Sequence, residues 1–343
     1  MIRIFILLCA LCAGALTWVV REQPYLLSMT GLHLESLMQF LPKESSEGVP
    51  ALENEDEPFV TENRSLSTTF RPILKSFAPE LSVPTAHASV IVDGETGESL
   101  YARHADERRQ IASLTKLFTA LIVVERINNL DTVVTIDEEA VFAEGTRIGC
   151  PRTGFCNGER LHPGEQLTVK DLLHAALMNS ANDAAIALGK HLGGTQAGFA
   201  AMMNERAQEL GLTNSHFCTP SGLEIDGKES ECYSSARDIA RIATEALEHE
   251  VLWEMMQHEK MYIVSVNGDY THEIFNTDQL LGQMPNLVGT KTGFTPLAGY
   301  SLLAVATDPT GNHQVVAVVL NDPYRWQSIQ SMFNWSFHAF DWI

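Results

Sequence analysis

The sequence predicts an α+β domain: an antiparallel sheet with helices on its faces and an all-α subdomain inserted between its strands. Three observations carry this. Short apolar runs separated by turn residues lie at both ends of the folded region. A stretch with helical apolar periodicity, about residues 130–255, separates them. An amphipathic helix closes the chain.

The elements follow in order. Ala88 to Val92 reads as a strand, Asp93-Gly94-Glu95-Thr96-Gly97 as turn chemistry, and Glu98 to Ala102 as the returning strand. A long apolar helix runs from about Leu114 to Ile127, and Val133 to Ile136 is a short strand. Val141 to Pro163 is rich in Gly, Pro and Cys and reads as a loop. Thr168 is the N-cap of a helix through Leu177 that stops near Asn179. Helices follow at Asp183 to Leu192, at Gly198 to Leu210 with Gly211 ending it, and from Ser234 to about His249. The pattern then reverts to strands at Met261 to Val264, Gly289 to Phe294, Tyr300 to Thr307 and Gln314 to Leu320. Arg325 to Phe340 is the closing helix.

The flanks say where such a domain works. Met1-Ile2-Arg3 is followed by seventeen uncharged residues, Ile4 to Val20. That run is a membrane anchor or a signal peptide, with the uncleaved anchor favoured because no cleavage site follows it. The positive N-terminus stays inside and the bulk of the chain is exported. Residues 22–85 read as a juxtamembrane segment and an acidic linker, with the folded domain spanning 86–343. The formal net charge of −20 argues against nucleic acid and against anionic membrane surfaces as partners. Beyond Cys9 and Cys12, four cysteines remain. In an exported chain they pair as Cys150–Cys156 and Cys218–Cys232, each closing a short loop. Zinc is the competing reading, and five and thirteen intervening residues fit its closely spaced ligand pairs poorly. The twelve histidines are scattered, so neither metal nor cofactor is called for.

Ile111 to Phe118 organises the chemistry. Ser113 and Lys116 stand three residues apart at the start of the long helix, one turn apart on one face. An amine there can take a proton from the hydroxyl, and the helix N-terminus adds unpaired N–H groups near the oxygen. A lone S-x-x-K pair occurs about once by chance in a chain of this length. Two further stretches raise it. Met178-Asn179-Ser180-Ala181-Asn182 sits at a break between helices, and Lys291-Thr292-Gly293 lies in a strand, where glycine permits close approach of a ligand backbone.

The order S-x-x-K, S-x-N, K-T-G is the signature of the active-site-serine penicillin-recognising enzymes. The chain resembles that superfamily. Within it the chain is similar to the low-molecular-mass penicillin-binding proteins that are D-alanyl-D-alanine carboxypeptidases. The narrower likeness rests on Ala112 to Lys116, Met178 to Ala185, Phe217 with Ser221-Gly222-Leu223, and Gly289 to Thr295 with Ala298-Gly299. The resemblance implies a β-lactamase/transpeptidase-like fold with a five-stranded antiparallel sheet. It implies Ser113 as acyl-ester nucleophile, Lys116 as proton acceptor, Ser180 as proton relay, and Asn182 on the substrate backbone. Lys291, Thr292 and Gly293 would bind the substrate carboxylate, and the backbone N–H groups of Ser113 and Phe294 would form the oxyanion hole. The implied partners are peptidoglycan pentapeptides ending in D-Ala-D-Ala and β-lactam antibiotics. The N-terminal segment places the catalytic domain outside the cytoplasm, held at the cell membrane or secreted after signal cleavage.

The sequence departs from the family in places. Phe294 stands where many relatives carry a polar residue, and Asn276-Thr277-Asp278 replaces the usual Asn-Thr-Asn. An endopeptidase or transpeptidase would use the same residues and remains an alternative. A serine β-lactamase is less favoured: Ala181 occupies the middle of the second motif, and no Glu-x-x-Leu-Asn run follows Asn182.

Overall fold

The computed structural model describes residues 72–150, 156 and 158–342. The expected N-terminal anchor, Cys9, Cys12 and most of the linker lie outside the described residues.

The main sheet is built from β2 (Ala88–Asp93), β3 (Ser99–Arg103), β8 (Leu287–Thr295), β9 (Gly299–Thr307) and β10 (Gln314–Leu320). They lie in the order β3-β2-β10-β9-β8, and every neighbouring pair is antiparallel. The two ends of the chain thus meet in one sheet, β2 pairing with β10 across the whole intervening sequence. Side-chain alternation splits these strands between two cores. Val90, Val92, Leu303, Val305, Val316 and Val318 face the helical side. Ile91, Leu302, Ala304, Val315, Ala317 and Val319 face a helix at Arg325–Ala339. Coverage on both faces explains why β2 and β10 read as continuous apolar runs. The terminal helix presents Ile329, Met332 and Phe333, spaced three and four residues apart and fully buried, to that second core. Burial of each stabilises the fold by about 1.5–3 kcal/mol.

Between β3 and β8 lies the helical insert. Its members are α1 (Thr115–Arg126), α2 (Glu138–Val141), α3 (Val169–Leu177), α4 (Asn182–Gly193), α5 (Gln196–Glu209), α6 (Ala236–Ala246) and α7 (Glu250–Met255); the terminal helix is α8. Several starts are set by local capping. Thr168 accepts from Asp171 N, Thr195 from Gly198 N and Ser235 from Asp238 N, each relieving an orphan N–H of a first turn. α1 is buried along nearly its whole length, which accounts for its almost unbroken apolar sequence.

Three features differ from the sequence reading. The Met261 strand does not join the main sheet: β6 (Lys260–Val264) pairs with β7 (Thr271–Phe275) as a separate hairpin. β4 (Val133–Thr135) likewise pairs only with β5 (Gln166–Thr168), a strand that precedes the Thr168 cap. The packed domain also begins upstream of Ala86. β1 (Ile73–Leu74) pairs with β11 (Phe340–Asp341), and the Trp335 indole donates to Pro79 O at 2.6 Å. Ile73 and Leu74 are exposed and are held through backbone bonds, whereas Val83 is buried in the second core with Leu81 packed against it.

Candidate active site

Ser113 sits in a 3-10 turn, Ala112–Leu114, that feeds directly into α1. Ala112 has φ 50°, a left-handed conformation that costs an L-residue on the order of 1–3 kcal/mol. Two glycines allow the turn to be gripped from both sides. A Cβ at Gly222 would fall 2.1 Å from Ala112 O, and one at Gly293 would fall 2.7 Å from Ile111 O. Only a bare backbone can approach so closely. The loop at Gly222 and the edge strand β8 therefore clamp the serine turn between them.

Lys116 lies one turn on, with no solvent-exposed surface. Its Nζ has three partners: Ser113 Oγ at 2.8 Å, Asn182 Oδ1 at 2.6 Å and the carbonyl oxygen of Ser221 at 2.7 Å. Burial, with the Lys291 ammonium adding to it, holds the Lys116 amine well below the ordinary lysine range; Asp183 opposes this. A neutral amine has two N–H groups and one lone pair. Asn182 Oδ1 and Ser221 O can only accept, so they take the N–H groups and leave the lone pair for the Ser113 hydroxyl proton. The Asn182 amide is fixed in this sense because its Nδ2 donates to Glu144 O at 2.6 Å.

The second serine belongs to the other wall. Ser180 falls in the gap between α3 and α4 with φ 58°, which turns the chain sharply at the break. Its hydroxyl oxygen accepts from Lys291 Nζ at 2.9 Å. Lys291 is also fully buried, and burial with the nearby Arg325 guanidinium lowers it to about 7. Arg325 is held by Gly293 O at 3.1 Å and Ser301 O at 3.0 Å. Next along β8 the Thr292 hydroxyl meets the Thr277 hydroxyl at 2.9 Å. Asp183 braces the wall from behind: buried and pushed up to about 6, its carboxylate accepts from Ile148 N at 3.0 Å and Ala184 N at 2.9 Å. Asn182 N donates to Thr146 O at 2.8 Å, tying the same loop to α4.

These walls enclose a cleft of about 510 Å³. Ser113, Ser180, Thr292, Gly293 and Phe294 line it, with Thr277, Arg147 and Arg325. Lys116, Asn182 and Lys291 stand behind that lining, at 0%, 4% and 0% exposure. The Asn182 amide spans Lys116 and Glu144, and Lys291 backs Ser180, so both work through neighbours in this arrangement. β8 is the sheet's edge strand, so alternate backbone groups of Lys291 to Phe294 face away from β9. The resident side chains supply an activated hydroxyl, a second hydroxyl held by a cation, and a pair of threonine hydroxyls. That set suits acyl transfer from a substrate with an anionic end.

Several contributors carry no motif signature. Ser221 enters through its carbonyl, which any residue could supply. Its run, Phe217 to Leu223, was conspicuous, but its contact with Lys116 spans 105 positions. Thr277 lay within a recognised departure, and Arg325 within an ordinary helix start. Both cysteine pairs are joined, Cys150 to Cys156 and Cys218 to Cys232. The first borders the cleft through Cys150, and the second closes the loop that carries Ser221 and Gly222.

Comparison with known proteins bears on this arrangement. The family model described as D-alanyl-D-alanine carboxypeptidase matches residues 76–324. D-alanyl-D-alanine carboxypeptidase DacF of Bacillus subtilis is 34% identical over 238 residues, 68% of this chain and 57% of the relative. DacC of Escherichia coli is 33% identical over 279 residues, 78% of this chain and 66% of the relative. The chain thus spans less than two thirds of the length of these relatives. A crystal structure of a D-alanyl-D-alanine carboxypeptidase from Mycobacterium tuberculosis superposes with a TM-score of 0.67 at 28% identity, covering 78% of this chain and 96% of that one.

Proposed function

The chain belongs to the D-alanyl-D-alanine carboxypeptidase family, and on that premise we propose that it is a serine-type D-Ala-D-Ala carboxypeptidase trimming peptidoglycan stem peptides. The observation that carries this reading is the setting of Lys116. A buried amine with both N–H groups assigned and its Nζ 2.8 Å from Ser113 Oγ is a general base aimed at one hydroxyl.

The geometry supports the following course of reaction. Ser113 Oγ attacks the carbonyl carbon of the D-Ala-D-Ala bond while its proton passes to Lys116 Nζ. The carbonyl oxygen becomes an oxyanion between the backbone N–H groups of Ser113 and Phe294. The C–N bond then breaks. The departing nitrogen takes a proton from Ser180, whose oxygen is held by Lys291, and Lys116 reprotonates Ser180 with the proton taken from Ser113. The Thr292 and Thr277 hydroxyls bind the terminal carboxylate, in the positive field of Lys291 and Arg325. Water next attacks the ester, with Lys116 again accepting a proton, and Lys116 passes it to Ser113 Oγ as the C–O bond breaks and the shortened peptide leaves. A β-lactam presents a carbonyl and a carboxylate in like disposition and acylates Ser113.

The chain acts outside the cytoplasm, held by its N-terminal segment. The uncharged run after Arg3 and the two disulfides, which persist in oxidising compartments, support this placement. The test uses the full chain with a labelled penicillin and with a peptide ending in D-Ala-D-Ala, beside Ser113→Ala. Covalent label and D-alanine release from the native chain, and neither from the variant, are expected. Label that persists in Ser113→Ala would overturn the assignment of the nucleophile.

A further inference from the structure

The β6–β7 hairpin stands apart from the main sheet, and its two faces differ sharply. Ile263, His272 and Ile274 point inward and are buried. His272 is fixed there, its Nε2 2.6 Å from Glu165 Oε1 and its Nδ1 3.0 Å from Glu159 O. This inner face suffices to attach the hairpin. The outer face presents Lys260, Tyr262 and Val264 on β6, opposite Phe275, Glu273 and Thr271 on β7. Tyr262 is 58% exposed and Phe275 51%, so about half of each residue is open to solvent.

The groups on that face are organised. Lys260 and Glu273 form an ion pair, and the Tyr262 hydroxyl donates to Glu273 Oε1 at 2.8 Å. The Lys260 ammonium lies between the rings, 5.0 Å from the Tyr262 centroid and 5.5 Å from that of Phe275. The result is two open rings flanking a neutralised polar centre, with the exposed Val264 and Val266 extending the apolar strip. Glu273 and Phe275 also line the active-site cleft. The strip therefore begins at the cleft mouth and continues along the strands for about 13 Å.

We propose that this face is a glycan subsite, which holds the sugar backbone of a polymeric substrate while its peptide end occupies the cleft. This rests on the peptidoglycan reading above. Aromatic faces stack against the C–H faces of sugar rings, and the intervening ammonium, carboxylate and phenol bond to hydroxyl and amide groups. The internal ion pair leaves the patch without excess charge, which suits a neutral saccharide better than an anionic lipid surface or a polyanion. Continuity with the cleft places such a chain where a peptide branching from it reaches Ser113.

The test compares the full chain with the double variant Tyr262→Ala, Val264→Ser, neither residue being part of the cleft. Three readouts apply: D-alanine release from a soluble pentapeptide, release from insoluble peptidoglycan, and co-sedimentation with glycan strands stripped of their peptides. The variant is expected to stay within about twofold on the soluble peptide. It should lose about tenfold on the polymer and most of its retention on stripped glycan. Tyr262→Trp, which keeps a ring, should restore both. Equal losses on peptide and polymer would overturn the subsite, as would unchanged action on the polymer or a native chain that ignores stripped glycan. A native chain that cleaves neither substrate yet still loses glycan retention on Tyr262 substitution would refute the carboxypeptidase reading and leave the subsite standing.

Discussion

The carbonyl oxygen of Ser221 lies 2.7 Å from Lys116 Nζ, joining residues 105 positions apart at the centre of the site. This contact and the Asn182 amide together decide which way the amine's lone pair points. The loop carrying Ser221 is therefore part of the catalytic geometry, although none of its side chains touches the cleft chemistry.

Gly222 shows how little slack that loop has. It has φ 77°, and an added Cβ would lie 2.1 Å from Ala112 O and 2.6 Å from Thr115 Oγ1. Gly222→Ala should push the loop off the serine turn. Loss of about a hundredfold in kcat is expected, with destabilisation of roughly 2–4 kcal/mol. Steady-state kinetics and thermal unfolding check both.

Cys218–Cys232 closes the same loop, with a sequence separation of 14. Replacing both cysteines by serine should destabilise the chain by about 3 kcal/mol, from the loop entropy regained on unfolding. kcat should fall more than KM changes, because the Thr277 and Thr292 hydroxyls, proposed above to bind the carboxylate, lie on other elements. Equal activity in the double variant would show that packing alone holds Ser221 in place.

Asn182 offers a pair of tests. Asn182→Ala removes one N–H acceptor of Lys116, and kcat should fall about 10²–10³-fold. Asn182→Asp keeps the shape but puts a carboxylate where Oδ1 lies 2.6 Å from the amine. The carboxylate stabilises the protonated lysine, so the acid limb of the rate profile should move to higher pH. A pH–rate profile for each variant separates loss of geometry from change of charge.

The native profile should be bell-shaped. On the acid side Lys116 gains a proton and ceases to be a base, with its midpoint set well below that of ordinary lysine by burial and by Lys291. On the alkaline side Lys291, lowered to about 7 by burial and Arg325, loses the charge that supports Ser180 and attracts the carboxylate. kcat/KM reports the free enzyme, so its alkaline limb should fall near 7. A bound carboxylate stabilises the charged lysine, so the limb for kcat should lie higher. Coincident limbs would exclude Lys291 from carboxylate binding.

Lys291 also couples to stability. Its amine titrates near 10.4 when unfolded and at about 7 when folded. Between those values the unfolded chain binds more protons, so the lysine's contribution makes stability rise with pH across that window. Lys291→Met removes the buried amine while keeping its bulk. The variant should be more stable at neutral pH by about 1 kcal/mol or more, a gain of roughly 2–4 °C, and inactive. Calorimetry against pH should show the slope reduced in the variant.

Ser113 with Lys116, Ser180 with Asn182 and Lys291 with Thr292 stood out in the sequence because side-chain identity and close spacing carry information along the chain. The strands and helices of the main domain were legible for the same reason: their burial leaves periodic apolar runs. Backbone contributions were not legible. The Ser221 carbonyl, the Ala112 turn and the β1–β11 pairing use groups that every residue has. The β6–β7 hairpin was half visible, since Met261 to Val264 is a short β-branched and aromatic run, but nothing local says which strand it pairs with. The sequence by itself determined the chemical inventory and the fold that holds it. Only the tertiary structure decided that Lys116 donates its two N–H groups to Asn182 Oδ1 and Ser221 O, and that Lys291 donates to Ser180 from behind, because hydrogen-bond assignment depends on contacts between distant segments.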